Sequence, residues 1–302
     1  MQKITLSIAL LLCLSFGAFA QIEGGKAIVA KNAELVKVQD GFSFTEGPAV
    51  NRMGDVFFTD QPNDKIYMWA AGPNEIRPFM ENTGRANGLY FKLDGTLIAA
   101  ADENNELWAI SRDGKKEKVL VSSFKGVKLN GPNDIWVVPK GGLYFTDPLY
   151  ARPYWERDPE MQQDGEHVYF LSEDGAQLFR VDEDLVKPNG IVGTPDGKTL
   201  YVADIGAKKT YKYDIREDGY LINKTLFCEM GSDGMTTDEK GNVYLTGDGV
   251  TVFNKKGDQI AHIAVPSKWT ANVVFGALDR RTLFITATDA VYTLKMKVRG
   301  VW

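Results

Sequence analysis

The chain has 302 residues, 44% hydrophobic and 25% charged, with 30 glycines and 12 prolines, proportions that exclude collagenous, coiled-coil and disordered classes. A formal charge of -5, from 35 basic and 40 acidic residues, leaves no basic excess to follow a phosphate backbone, so nucleic acid is not an expected partner. The first element is a leader: Lys3 gives a positive start, Ile4 to Phe19 form an apolar run, and Ala18-Phe19-Ala20 offers small residues where a signal peptidase reads. The run is short for a membrane span and lacks downstream stop-transfer charges. Cleavage before Gln21 is expected, with a periplasmic or secreted product and no membrane insertion afterwards. Cys228 is then the one remaining cysteine, so an exported chain folds without an intramolecular disulfide, and the thiol fits a small buried hydrophobe.

The next segment, AELVKVQ at residues 33–39, has strand character but no partner nearby in sequence. Six copies of one phrase follow, each a turn residue, an apolar or aromatic run, and an Asp: GDVFFTD ending at Asp60, GTLIAAAD at Asp102, GGLYFTD at Asp147, GKTLYVAD at Asp204, GNVYLTGD at Asp248 and RTLFITATD at Asp289. The aspartates are 42, 45, 57, 44 and 41 residues apart. Each phrase reads as a strand, and no window shows a sustained helical period. A period near 45 fits a four-stranded antiparallel unit. The expected fold is all-β, a six-bladed β-propeller over residues 21–302; a large sandwich is the alternative. Since only AVYTLKM follows the last Asp, the N-terminal strand is expected to complete the sixth blade and close the ring.

About 15 residues before each Asp, the copies align Glu46, Asn87, Asn133, Asn189, Asp233 and Asn272. In a propeller these positions open the innermost strands, so six side-chain oxygens converge on the channel axis. One hairpin separates each from its repeat Asp, which puts both on one face. Two carboxylates among amide oxygens repel one another and are costly to desolvate. A divalent cation resolves the conflict, and all-oxygen ligation suits calcium, magnesium or manganese, with neither histidine in register to favour zinc. For any single position the competing reading is an Asn or Asp that merely makes a turn or cap.

The phrases FTEGPAV, GPNDIWV, LYFTDPLY, KPNGIV, SDGMTTDEKGNVYLT and ANVVFGALDRRTLFITA together resemble the gluconolactonase, regucalcin and senescence-marker-protein family of six-bladed propeller lactonases. The resemblance implies one divalent cation held by Glu46, Asn189 and Asp233, calcium first, with magnesium, manganese or zinc as alternatives. It places Asn133 near metal and substrate, and Asn87 is the matching substrate contact of the second blade. The implied reaction is metal-dependent hydrolysis of a gluconolactone-like sugar lactone to its aldonic acid, a carboxylic ester hydrolysis. Asp233 is the expected catalytic base; water activated at the cation is the other source of nucleophile. No Ser-His-Asp chemistry competes, since the chain has 2 histidines and no G-x-S-x-G elbow.

The pattern departs from the family in the third blade. Animal members carry an Arg where this chain has Gly131, and an insertion, Pro148 to Glu166, brings Tyr150, Arg152, Tyr154, Trp155 and Arg157. On the hairpin argument the insertion shares the face of the ring, and Tyr150 and Arg152 are expected to contact substrate. A solvated loop over the blade edge is the bland alternative, as a non-catalytic propeller binding carbohydrate or protein around a structural cation is for the whole chain. The repeat aspartates are expected to bond backbone at blade corners, and His262 to be structural.

Overall fold

A computed structural model describes residues 21–139 and 141–301; the expected signal peptide, residues 1–20, lies outside them. Each repeat phrase forms the second strand of an antiparallel blade: Val56–Asp60, Leu97–Ala101, Leu143–Asp147, Thr199–Asp204, Val243–Gly247 and Thr282–Ala287. Every residue of these strands except Thr199 is buried. They read as unbroken apolar runs because both faces of each blade pack on a neighbour, and the apolar clusters span adjacent blades. The outermost strands, such as Lys116–Val121 and Leu221–Cys228, are mostly exposed or half-buried.

The innermost strands are Thr45–Val50, Ala86–Phe91, Ile135–Val137, Pro188–Gly193, Met235–Thr237 and Asn272–Gly276, and each lies against those of the two adjoining blades. The six-bladed propeller is the fold. Its ring closes as expected: Val36–Asp40 pairs with Ala290–Lys295, Val36 opposite Thr293 and Asp40 opposite Ala290. An aromatic seam reinforces the closure, with Phe284 of the sixth blade 5.6 Å from Phe58 and 5.3 Å from Trp69 of the first. One blade departs from four strands. Ile22–Gly24 adds to Gln259–Ile263 and makes the fifth blade five-stranded, a pairing that three residues without alternation do not signal.

The repeat aspartates divide. Asp60 accepts from the backbone N–H of Ser43 and Phe44, Asp147 from Asn130 and Gly131, and Asp204 from Val186 and Lys187, at 2.8–3.1 Å; these three hold blade corners. Asp102 instead accepts from Gln61 Nε2 at 2.8 Å and pairs with Arg157 at 3.4 Å. His262 bonds Thr251 through Nδ1 at 3.1 Å, and the buried Cys228 thiol is pushed up to about 11 by burial, both structural roles.

A chain beginning at Gly41 loses both N-terminal strands and leaves the Ala290–Lys295 edge open. Its melting temperature should fall by on the order of 10 °C, and the free edge should drive self-association visible by size-exclusion chromatography.

Candidate active site

The six aligned positions meet in one ring because the innermost strands approach closely. A Cβ on Gly47 would lie 2.0 Å from the Asn87 carbonyl oxygen, and one on Gly234 1.9 Å from Asn272 Cγ. The residue after the ring position must therefore be small wherever the next blade's ring residue fills its side-chain space. Gly88 against Asn133 and Gly190 against Asp233 repeat the contact. Thr146 Oγ1 donates to the Asn189 carbonyl at 2.8 Å between the third and fourth blades. Asn272 Nδ2 donates to Glu46 Oε2 at 3.3 Å and joins the sixth blade to the first. Glu46, Asn87, Asn133, Asn189 and Asn272 are buried, whereas Asp233 keeps part of its surface open at the mouth.

Within the ring, Asn189 Nδ2 donates to Asp233 Oδ1 at 2.8 Å and to the Tyr150 hydroxyl at 2.9 Å. Its other amide atom, Asn189 Oδ1, is buried without a hydrogen-bond partner, a costly arrangement for a polar oxygen. Burial, and then the facing charge of Asp233, hold the Glu46 carboxyl well above the usual carboxylate range. Asp233 is raised too, by burial, against the pull of Trp269, Asn189 and Arg152. An orphaned amide oxygen beside two mutually repelling carboxylates is the donor set a hard divalent cation satisfies. Among the described residues no group of three His, Cys, Asp or Glu has metal-holding geometry; the fitting set mixes carboxylate and amide oxygens.

The insertion folds over this face. Tyr150 reaches Asn189, Arg152 lies 5.2 Å from the Tyr150 ring centroid, and Lys187 lies 4.5 Å from the same ring. Arg152 also lowers the carboxyls of Asp102 and Asp233 through its charge, and its Nε is buried and unpartnered. Farther out, Arg157 donates to the Asn130 carbonyl at 2.7 Å and stacks 3.5 Å from the Trp155 ring centroid. Tyr154 lies under Arg85 at 4.8 Å. Tyr150, Arg152, Tyr154, Trp155 and Arg157 are thus half-buried against the face, while Ala151, Pro153, Glu156 and residues 158–161 of the insertion are exposed. At Gly131 a Cβ would meet Asp102 Oδ1 at 2.3 Å and Arg157 Nη2 at 2.9 Å, so a guanidinium borders this position although no Arg occupies it.

Two residues beside the ring carried no clear signal. Asp134 stands where four other blades have the glycine after the ring position, and its carboxylate accepts from Ile135 N–H at 3.0 Å and Ile191 N–H at 3.3 Å. Burial pushes it up to about 7, a third acid facing Glu46 and Asp233; its mismatch to glycine in the aligned copies was the available hint. Trp269, in the segment joining the last two blades, donates from Nε1 to Asp233 Oδ2 at 2.6 Å. It lies outside every repeated phrase.

The family profile of the SMP-30/Gluconolactonase/LRE-like region matches residues 44–289. The chain belongs to this family. A gluconolactonase of Zymomonas mobilis subsp. mobilis is 25% identical over 303 residues, covering 91% of this chain and 84% of that protein. The X-ray structure of a proposed gluconolactonase superposes with a TM-score of 0.85 at 30% identity, covering 92% of this chain and 99% of its own. A gluconolactonase of Xanthomonas campestris gives a TM-score of 0.81 at 24% identity, covering 93% and 99%, which adds agreement in fold. The matched span contains every ring residue and the whole insertion.

The Asp102–Arg157 pair, with side chains 5% and 9% exposed, carries its own expectation. Burial raises Asp102 to about 7, against the lowering by Arg152 and Arg157. A carboxyl raised in the folded state costs stability that grows as pH climbs from its ordinary value towards the raised one. Arg157→Leu removes one lowering charge and widens that window. Urea unfolding should show a loss of about 3 kcal/mol at pH 8 and a clearly smaller loss at pH 5, where Asp102 is protonated.

Proposed function

We propose that this protein is a metal-dependent lactonase that opens a sugar lactone of the gluconolactone type to its aldonic acid. The observation that carries the reading is the buried, unpartnered Asn189 Oδ1 beside Asp233 and the raised Glu46 carboxyl. Relatives named gluconolactonase and lactonase support it. Glu46, Asn189 and Asp233 would hold the cation, with calcium the best fit to an all-oxygen donor set and magnesium, manganese or zinc as competitors. When bound, the cation supplies Lewis-acid polarisation of the lactone carbonyl and stabilises negative charge developing on its oxygen.

The chain's own residues supply the rest. Asp233 Oδ2 takes the proton of the attacking water as the new C–O bond forms at the carbonyl carbon. The ring C–O bond then breaks, and the proton passes to the departing alkoxide, so water is divided between the acid and the freed hydroxyl. Tyr150 and Arg152, on the insertion above Asn189, would orient hydroxyls of the sugar, and Asn87 and Asn133 would line the ring beneath it. The leader at residues 1–20 supports action in the periplasm or outside the cell.

Mature protein stripped by chelator should lose lactone hydrolysis and regain it with one of the four cations, followed by proton release on five- and six-membered aldonolactones. Asp233→Asn should lower kcat by at least 100-fold. Glu46→Gln should abolish the rise in melting temperature that the restoring cation gives the wild type. A folded, metal-binding protein with no turnover above the spontaneous rate would overturn the lactonase and favour a propeller that binds carbohydrate or protein around a structural cation.

A further inference from the structure

We propose that Trp269 is a substrate platform and the positioning residue of Asp233, which makes it a specificity determinant of the site; this rests on the lactonase reading above. The residue is 37% exposed, whereas Trp69, Trp108 and Trp136 are at most 5% exposed. An exposed indole is ordinary on a mobile loop, but this one is fixed. Its backbone N–H donates to Thr288 Oγ1 at 3.1 Å, and the same hydroxyl donates back to the Trp269 carbonyl at 3.1 Å. The indole lies over Gly247, where a Cβ would come to 3.5 Å from Cη2, an ordinary packing distance.

The polar edge of the indole is already used. Nε1 donates to Asp233 Oδ2 at 2.6 Å, while Asn189 Nδ2 holds Oδ1 at 2.8 Å. The carboxylate is thereby clamped from both sides in one orientation, with Oδ2 on the side of the indole. With Nε1 bonded, the rest of the Trp269 indole is apolar and is held beside the reacting carboxylate. Across the mouth, Tyr150 meets Asn189 at 2.9 Å, so Tyr150, Asn189, Asp233 and Trp269 form one hydrogen-bonded chain with an aromatic ring at each end. The ligand chemistry that fits is a cyclic polyol ester: a C–H face to lie on the indole, hydroxyls for the opposite side, and a carbonyl brought over Asp233. The geometry therefore assigns Trp269 two separable tasks.

Two variants separate them. Trp269→Phe keeps an aromatic face and loses the N–H donor; Trp269→Ala loses both. On glucono-1,5-lactone, Trp269→Phe should lower kcat about tenfold with KM within about twofold. Trp269→Ala should show the same fall in kcat and a rise in KM of about five- to tenfold. Gluconate, which is not turned over, should change the tryptophan fluorescence of the wild type, and Trp269→Phe should lack that change. Unaltered kcat in Trp269→Phe overturns the positioning role, and unaltered KM in Trp269→Ala, or a gluconate response that survives Trp269→Phe, overturns the platform. Wild-type protein that hydrolyses no lactone defeats the lactonase reading instead, and the gluconate titration then decides the platform by itself.

Discussion

The close approach of six innermost strands around one axis governs this structure. Where Gly47 meets Asn87 and Gly234 meets Asn272, there is no room for a Cβ, so the ring positions themselves are the first side chains that can project into the channel. All six ring positions carry carbonyl or carboxylate oxygen. The packing requirement thus concentrates oxygen in a buried space, and the electrostatics follow: Glu46 rises well above its usual range, Asp233 rises with it, and Asn189 Oδ1 is left without a donor. A hard divalent cation would offset the repulsion between these carboxylates, which is why the donor set fits one.

The fold was legible because propeller blades repeat. Six strands buried on both faces left six apolar phrases at nearly constant spacing, and the unpaired strand character before the first copy pointed to the closure, observed at Val36–Asp40 against an expectation of residues 33–39. The shift of boundary reflects a strand that is mostly exposed and so weakly patterned. The ring was legible for the same reason, since each ring residue holds a fixed offset from a strand that packing had already marked. Ile22–Gly24, three residues on an outer edge, had neither length nor burial to mark it.

What the repeat could not carry is what differs between blades. Asp134 breaks the glycine row in one blade, Trp269 comes from a connection between blades outside the repeated phrases, and Arg157 reaches Asp102 from an insertion present once. These are tertiary contacts between segments 36 and 55 residues apart for Trp269–Asp233 and Arg157–Asp102, and no local period encodes them. The division is physical: symmetry places the oxygens, and the asymmetric elements supply the contacts that differ from blade to blade.

The closure of the ring also orders events in folding. Glu46 and Asn272 are 226 residues apart in sequence, and Thr45 bonds the carbonyl of Ala290 across 245. Contacts of such separation form late, after the loop entropy between them has been lost. Individual blades are mostly local hairpins and can form early, yet none of them alone contains the oxygen ring. The set of facing oxygens therefore exists only in the finished circle, once the first and last blades have met.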